Sequence, residues 1–136
     1  MLKQTGPELC LCGLKLEDRN VTTLKDLVEA LDLRPLTPSP EDDAEVTHGY
    51  ASDLLSDVLA HAPEGGVLVT LQVHLNVIAV ASHAGLQAVI FSCGRMPDDD
   101  ILQRAAAEGL ALFGSKADTF ELVGRLYELG LRGTPA

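Results

Sequence analysis

Val67-Leu68-Val69-Thr70-Leu71-Gln72-Val73-His74-Leu75-Asn76-Val77-Ile78-Ala79-Val80-Ala81 is the stretch whose reading decides the fold. From Thr70 to Asn76 every second residue is polar, with Leu71, Val73 and Leu75 between them. A strand sends successive side chains to opposite faces, so an unbroken strand would align Thr70, Gln72, His74 and Asn76 on one face. None of the four is charged at neutral pH, yet each donates or accepts hydrogen bonds. Such a row suits the reading of a ligand better than plain solvation, which usually collects Lys and Glu. The same period also describes an antiparallel strand with one wet side.

The flanking segments bear on that choice. Thr22 or Thr23 is placed to cap a helix with Leu24, Leu27, Val28 and Leu31 on its apolar face. Pro35, Pro38 and Pro40, followed by Glu41-Asp42-Asp43, mark a break, with Leu36 in a short strand before it and Glu45 to His48 in another. Gly49 opens a turn into an amphipathic helix starting near Ser52. Leu54, Leu55, Val58, Leu59 and Ala62 share one face of it, and Pro63 and Gly65-Gly66 end it. Val67 to Leu71, Gln87 to Phe91 and Leu110 to Phe113 read as short buried strands. Pro97 and Asp98-Asp99-Asp100 begin a helix whose inner face is Ile101, Leu102, Ala105 and Ala106, stopped by Gly109. Asp118 or Thr119 begins the last helix, with Phe120, Leu122, Val123, Leu126 and Leu129 inside.

Strands alternating with helices imply parallel pairing and right-handed crossovers. The expected fold class is therefore α/β: three layers, a mostly parallel sheet and helices on both faces, in the Rossmann-like manner. Val73 to Ala84 is the difficulty. If it is strand, two strands meet without a crossover. If Asn76 caps a helix ending at Gly85, the alternation holds, although Val77, Ile78 and Val80 are poor helix formers.

Composition narrows the functional classes. A chain of 136 residues, 46% apolar, builds one core without metal or disulfides. A net charge of -10 argues against nucleic-acid binding and against attachment to an anionic membrane surface. The run Val67 to Ala81 is too short to span a bilayer and is polar in its middle. No signal peptide is recognisable, and three cysteines, two of them Cys10 and Cys12, outline no disulfide framework. The expected location is cytoplasmic. Residues 1–20 read as an N-terminal extension, and 21–136 as a single domain.

Several segments together resemble the DRTGG domain family, in its stand-alone single-domain members. They are Gly49-Tyr50-Ala51-Ser52-Asp53-Leu54-Leu55-Ser56-Asp57-Val58, then Val69 to Ala81, the Val89-Ile90 strand, the Pro97-Asp98 helix start and Asp118-Thr119-Phe120-Glu121. The similarity covers about residues 22 to 131. The Asp-Arg-Thr-Gly-Gly signature itself is absent, and Gln72, His74 and Asn76 occupy its place after the central strand. The resemblance implies a compact three-layer fold and an accessory or regulatory role tied to subunit association, as in modules found with HPr kinase/phosphorylase, phosphate acetyltransferases and CBS-domain pyrophosphatases. It also implies that the central strand ends near Gln72 and a helix starts at Asn76. Gln72, His74 and Asn76 then line a loop at the strand's C-terminal end, where open α/β sheets bind ligands.

The candidate chemistry is modest. No Gly-x-x-x-x-Gly-Lys-Ser/Thr or Gly-x-Gly-x-x-Gly cradle is present. Free N–H groups at the Gly49 to Asp53 turn could hold a phosphate, but Asp53 would repel it. Asp53, Asp57 and His61 at helical spacing could ligate a cation, but a solvated face is the commoner reading. Cys93 reads as a small core residue, and Cys10, Cys12 and Cys93 together lack a fourth ligand for a soft metal. His48 and His83 read as surface residues. No cofactor and no metal are expected.

The sequence therefore points to a non-catalytic regulatory module, not an enzyme. It would act as a homodimer that binds a small ligand or a regulated protein through Gly49, Tyr50, Ser52, Asp53, Thr70, Gln72, His74 and Asn76, beside the loops after Ser92 and Gly114. The competing readings are a small enzyme using His74 with Asp53 as an acid–base pair, and an oligomerisation or scaffold domain without a ligand.

Overall fold

The computed structural model describes residues 22–38 and 44–134. Its elements in chain order are α1 (Leu24–Leu31), β1 (Arg34–Pro35), β2 (Gly49–Ala51), α2 (Leu55–His61), β3 (Val67–Thr70), α3 (Asn76–Ala84), β4 (Ala88–Phe91), α4 (Asp99–Ala107), β5 (Ala111–Gly114) and α5 (Thr119–Glu128). The five strands form one sheet in the order β1-β5-β4-β3-β2. The four strands from β2 to β5 are parallel, and β1 runs antiparallel along β5, pairing Arg34 with Gly114 and Pro35 with Phe113. The polar row is thus not one strand. β3 stops at Thr70, the next residues form a loop, and α3 begins at Asn76.

Sequential strand order explains the layers. Three crossovers step the same way across the sheet, so right-handed connections put α2, α3 and α4 on one face. There Val58, Val77, Ile78, Ala81, Ile101 and Ala105 pack against Leu68, Val89, Phe91 and Leu112. On the other face Leu24, Leu27 and Leu31 of α1 and Leu122 and Leu126 of α5 cover Val67, Val69, Ala88, Ile90, Ala111 and Phe113. Every residue of β3 and β4 is buried, which is why these strands read as continuous apolar runs rather than alternating ones. Each fully buried side chain such as Leu68 or Leu112 contributes about 1.5–3 kcal/mol. That packing overrides the weak helix propensity of Val77 and Ile78, both buried in α3. Gly85 ends α3 at φ 73°, a conformation that favours glycine.

The helix starts follow their signals. Thr23 caps α1 in a reciprocal capping box with Asp26, and the Asp118 side chain accepts from the Glu121 N–H at the start of α5.

Five expectations need correction. Gly49 does not open a helix turn: Gly49–Ala51 is the edge strand β2, held by β3 on one side and by the Gly49 N–H donating to the Arg132 carbonyl on the other. The Glu45 to His48 segment makes only isolated bridges, at Glu45 and His48. Leu36 lies just past β1, its N–H donating to the Leu112 carbonyl, and Pro35 sits within the edge strand, where a missing N–H is tolerated. The inner faces of three helices are narrower than periodicity suggested. Leu54 (64% exposed) and Leu59 point to solvent near α2, as do Phe120 (89%) and Val123 on α5, while Ala106 on α4 is also exposed. Cys93 is exposed rather than core, with φ 59°. Residues 1–20, with Cys10 and Cys12, lie outside the described residues.

Candidate functional site

Parallel strands end together, so the loops after β2, β3, β4 and β5 form one rim at the C-terminal edge of the sheet. Seven of the eight sequence-selected residues sit on or lead into its β2–β3 half and do different jobs; Gly49 opens β2 opposite Val67, at the other end of the strands.

Asp53 is the centre of that half. Its Oδ1 accepts from the Thr70 hydroxyl at 3.1 Å and from the Leu71 N–H at 2.7 Å. The Asp53 carbonyl accepts from Gln72 Nε2 at 3.0 Å, and the Thr70 oxygen accepts from the Gln72 N–H at 3.1 Å. Thr70 is only 1% exposed, so this web satisfies polar groups that burial would otherwise leave unmatched. Thr70, Gln72 and Asp53 therefore fasten the β2–α2 loop to the β3–α3 loop, and their polar atoms are largely used in doing so.

His74 and Asn76 are exposed. Asn76 is the first residue of α3 rather than its cap. The His74 Nδ1 accepts from the Asn76 N–H at 3.1 Å, so a side chain two residues earlier serves one of the helix-start donors. An accepting Nδ1 puts the neutral ring's proton on Nε2. No hydrogen bond joins His74 to Asp53 among the described residues, and both are engaged elsewhere.

Tyr50 and Ser52 serve the start of α2. The Tyr50 hydroxyl donates to Asp57 Oδ2 at 2.8 Å. That bond, with help from the Ser52 hydroxyl, lowers the Asp57 pKa below the usual carboxylate range, and it raises the Tyr50 phenol above its own. The Ser52 oxygen also accepts from the Leu54 N–H. His61 Nδ1 lies 3.1 Å from Asp57 Oδ1. Asp57 is thus held by Tyr50 and His61, and Asp53 lies ahead of the helix facing Thr70. The described residues contain no group of three His, Cys, Asp or Glu side chains arranged to hold a metal.

The β4–β5 half is fastened differently. The Cys93 N–H donates to the Ala117 carbonyl and the Gly94 N–H to the Ser115 carbonyl, both at 2.8 Å. Beneath them the Ser92 and Thr119 hydroxyls are 2.8 Å apart. Successive left-handed residues, Cys93 and Gly94, turn the chain outward here, and a non-glycine residue in that region is uncommon. Sequence reading named these loops but missed the partner Thr119 and every basic side chain around them. Arg34, Arg95, Lys116 and Arg125 follow no common period, and only the sheet order brings them near one another.

No family model and no curated protein sequence matches the chain. Its fold is similar to that of the CBS and DRTGG domains of the regulatory region of Clostridium perfringens pyrophosphatase, solved in complex with the activator diadenosine tetraphosphate. The TM-score is 0.68 at 14% identity, over 86% of this chain and 50% of that one. This chain therefore spans half of that regulatory region, and the likeness is one of fold.

Proposed function

We propose that this chain is a non-catalytic regulatory module that binds a small ligand or a regulated protein at the C-terminal rim of its sheet. The observation that carries the reading is the fastening of that rim. Asp53 ties two loops together on one half, and paired backbone bonds tie two on the other. A rim held this way presents His74 and Asn76 on a fixed frame, with Gly49, Tyr50, Ser52, Asp53, Thr70 and Gln72 supporting them. Preorganised groups of this kind lose little entropy on binding. The fold it shares with a pyrophosphatase regulatory region bound to an activator supports the regulatory class. The Asp53 and His74 side chains, each engaged with another partner, lend the acid–base reading no support.

The module acts as a homodimer in this reading. Phe120, Val123 and Tyr127 fall on one face of α5 at positions three and seven residues apart, and all three are exposed. An isologous contact would cover such a stripe twice. Native mass spectrometry of the purified protein tests both parts at once. The expected result is a dimer mass with a retained small molecule or an added partner. A bare monomer, with no binding gained in lysate fractions, would sink the proposal.

A further inference from the structure

A second feature of the rim has no role in the loop fastening. A cavity of about 510 Å³ opens at the end of β5, between the β4–α4 loop, the β5–α5 loop and the chain entering β1. That is the size range of small-molecule sites. Arg34, Arg95, Lys116 and Arg125 all line it. The chain has ten lysines and arginines. Lys3, Lys15 and Arg19 lie outside the described residues, which leaves seven, and four of these seven line this one cavity. Acidic residues are in large excess along the chain, yet among the described residues Asp32 is the single acid in the lining.

Gathering like charges is unfavourable unless something of opposite sign meets them. Among the described residues Arg34, Arg95 and Lys116 form no ion pair, and Arg125 pairs with Glu121 one helical turn away at 3.0 Å.

The wall between the cations is apolar. Leu33, Leu36 and Met96 face the same space. The backbone bonds that join the Gly94 and Ser115 loops set Arg95 and Lys116 side by side, and Gly94 itself, at φ 70°, has nothing within 4 Å of where a Cβ would stand. A small anion alone would use the cations and leave the apolar wall wet. An organic anion would use both.

We propose that this cavity binds a multiply charged phosphate ester. Its phosphates would lie against Arg34, Arg95, Lys116 and Arg125, and its planar or apolar body against Leu33, Leu36 and Met96. Arginine forks match phosphate oxygens and also stack on planar rings, which suits a nucleoside diphosphate. The inference rests on the regulatory reading above and names the ligand class for its β4–β5 half.

Calorimetric titration in low salt, with inorganic pyrophosphate and with adenosine diphosphate as probes, tests it. Both should bind saturably, the nucleotide more tightly. The double variant Arg95→Gln/Lys116→Gln should lose about tenfold or more in affinity for either probe, while Arg104→Gln, which removes a cation paired with Glu108 away from the cavity, should keep it. Unchanged circular dichroism would show that both variants fold. No saturable binding, or equal loss in the two variants, would overturn the site. Equal affinities for the two probes would overturn the assignment of the apolar wall to a ligand body. If both probes fail while native mass spectrometry still finds a dimer carrying a small molecule, this inference falls and the regulatory reading stands.

Discussion

The two halves of the rim are built from opposite charges and use them oppositely. On the β2–β3 half an acid, Asp53, accepts through its Oδ1 from two of the protein's own donors, one on β3 and one in the loop after it. On the β4–β5 half three cations, Arg34, Arg95 and Lys116, have no acidic partner among the described residues. In a chain of net charge -10, partners for a cation are plentiful and partners for an acid are scarce. The arrangement inverts what abundance alone would produce. A charge matched internally holds structure, whereas charges left unmatched beside a cavity are available to a ligand.

The sharpest way to break that comparison is to remove the acid. Asp53→Ala leaves the Thr70 hydroxyl, nearly inaccessible to water, and the Leu71 N–H without their acceptor. The expected loss is about 1–3 kcal/mol in chemical denaturation, with pyrophosphate binding at the other half retained. A variant as stable as the parent would show that the web contributes little.

A smaller effect is expected at His74. Its bond to the Asn76 N–H is exposed and caps a helix start, so His74→Ala should lose about 0.5–1 kcal/mol. A loss much above this in urea denaturation would mean that His74 supports more of the fold than one donor.

The Tyr50 to Asp57 contact should appear as a change of slope rather than of level. A carboxyl whose folded pKa is lowered stabilises the fold fully above the ordinary carboxylate range, and that stabilisation is lost as pH falls through the lowered value. Tyr50→Phe removes the largest cause of the lowering. The variant's stability should then depend less steeply on pH in the acid limb, measured by thermal midpoints across acidic buffers. Superimposable acid limbs would exclude the contact from the folded state.

The smallest stability effect belongs to the cationic half. Lys116 is exposed and forms no ion pair among the described residues, so Lys116→Gln should change stability by no more than about 0.5 kcal/mol. It should nevertheless weaken pyrophosphate binding.

Legibility in the sequence followed the range over which each feature is encoded. The starts of α1, α4 and α5 were readable because their signals are local: Thr23 and Asp118 cap residues three positions on, and Asp98 stands at the N-cap of α4 directly before the acidic first turn. The buried strands β3, β4 and β5 were readable as short apolar runs between glycines. β2 was not, because Gly49–Ala51 is three residues long and its strand character comes from pairing with β3 and Arg132. The outward turn of Phe120 and Val123 was missed because helical periodicity finds an apolar stripe but not where a neighbouring sheet stops covering it. Within the site, the row from Thr70 to Asn76 was visible as a pattern, but its division into fasteners and exposed groups depends on Asp53, seventeen residues before Thr70. The four cations were invisible as a group, since positions 34, 95, 116 and 125 meet only through the sheet order.

An amide NMR titration with inorganic pyrophosphate tests the division of the rim most directly. Saturable shifts are expected at Gly94, Arg95, Ser115 and Lys116, with Leu71, Gln72 and His74 unmoved. Shifts centred on Leu71 to His74, or no saturable shift anywhere, would contradict it.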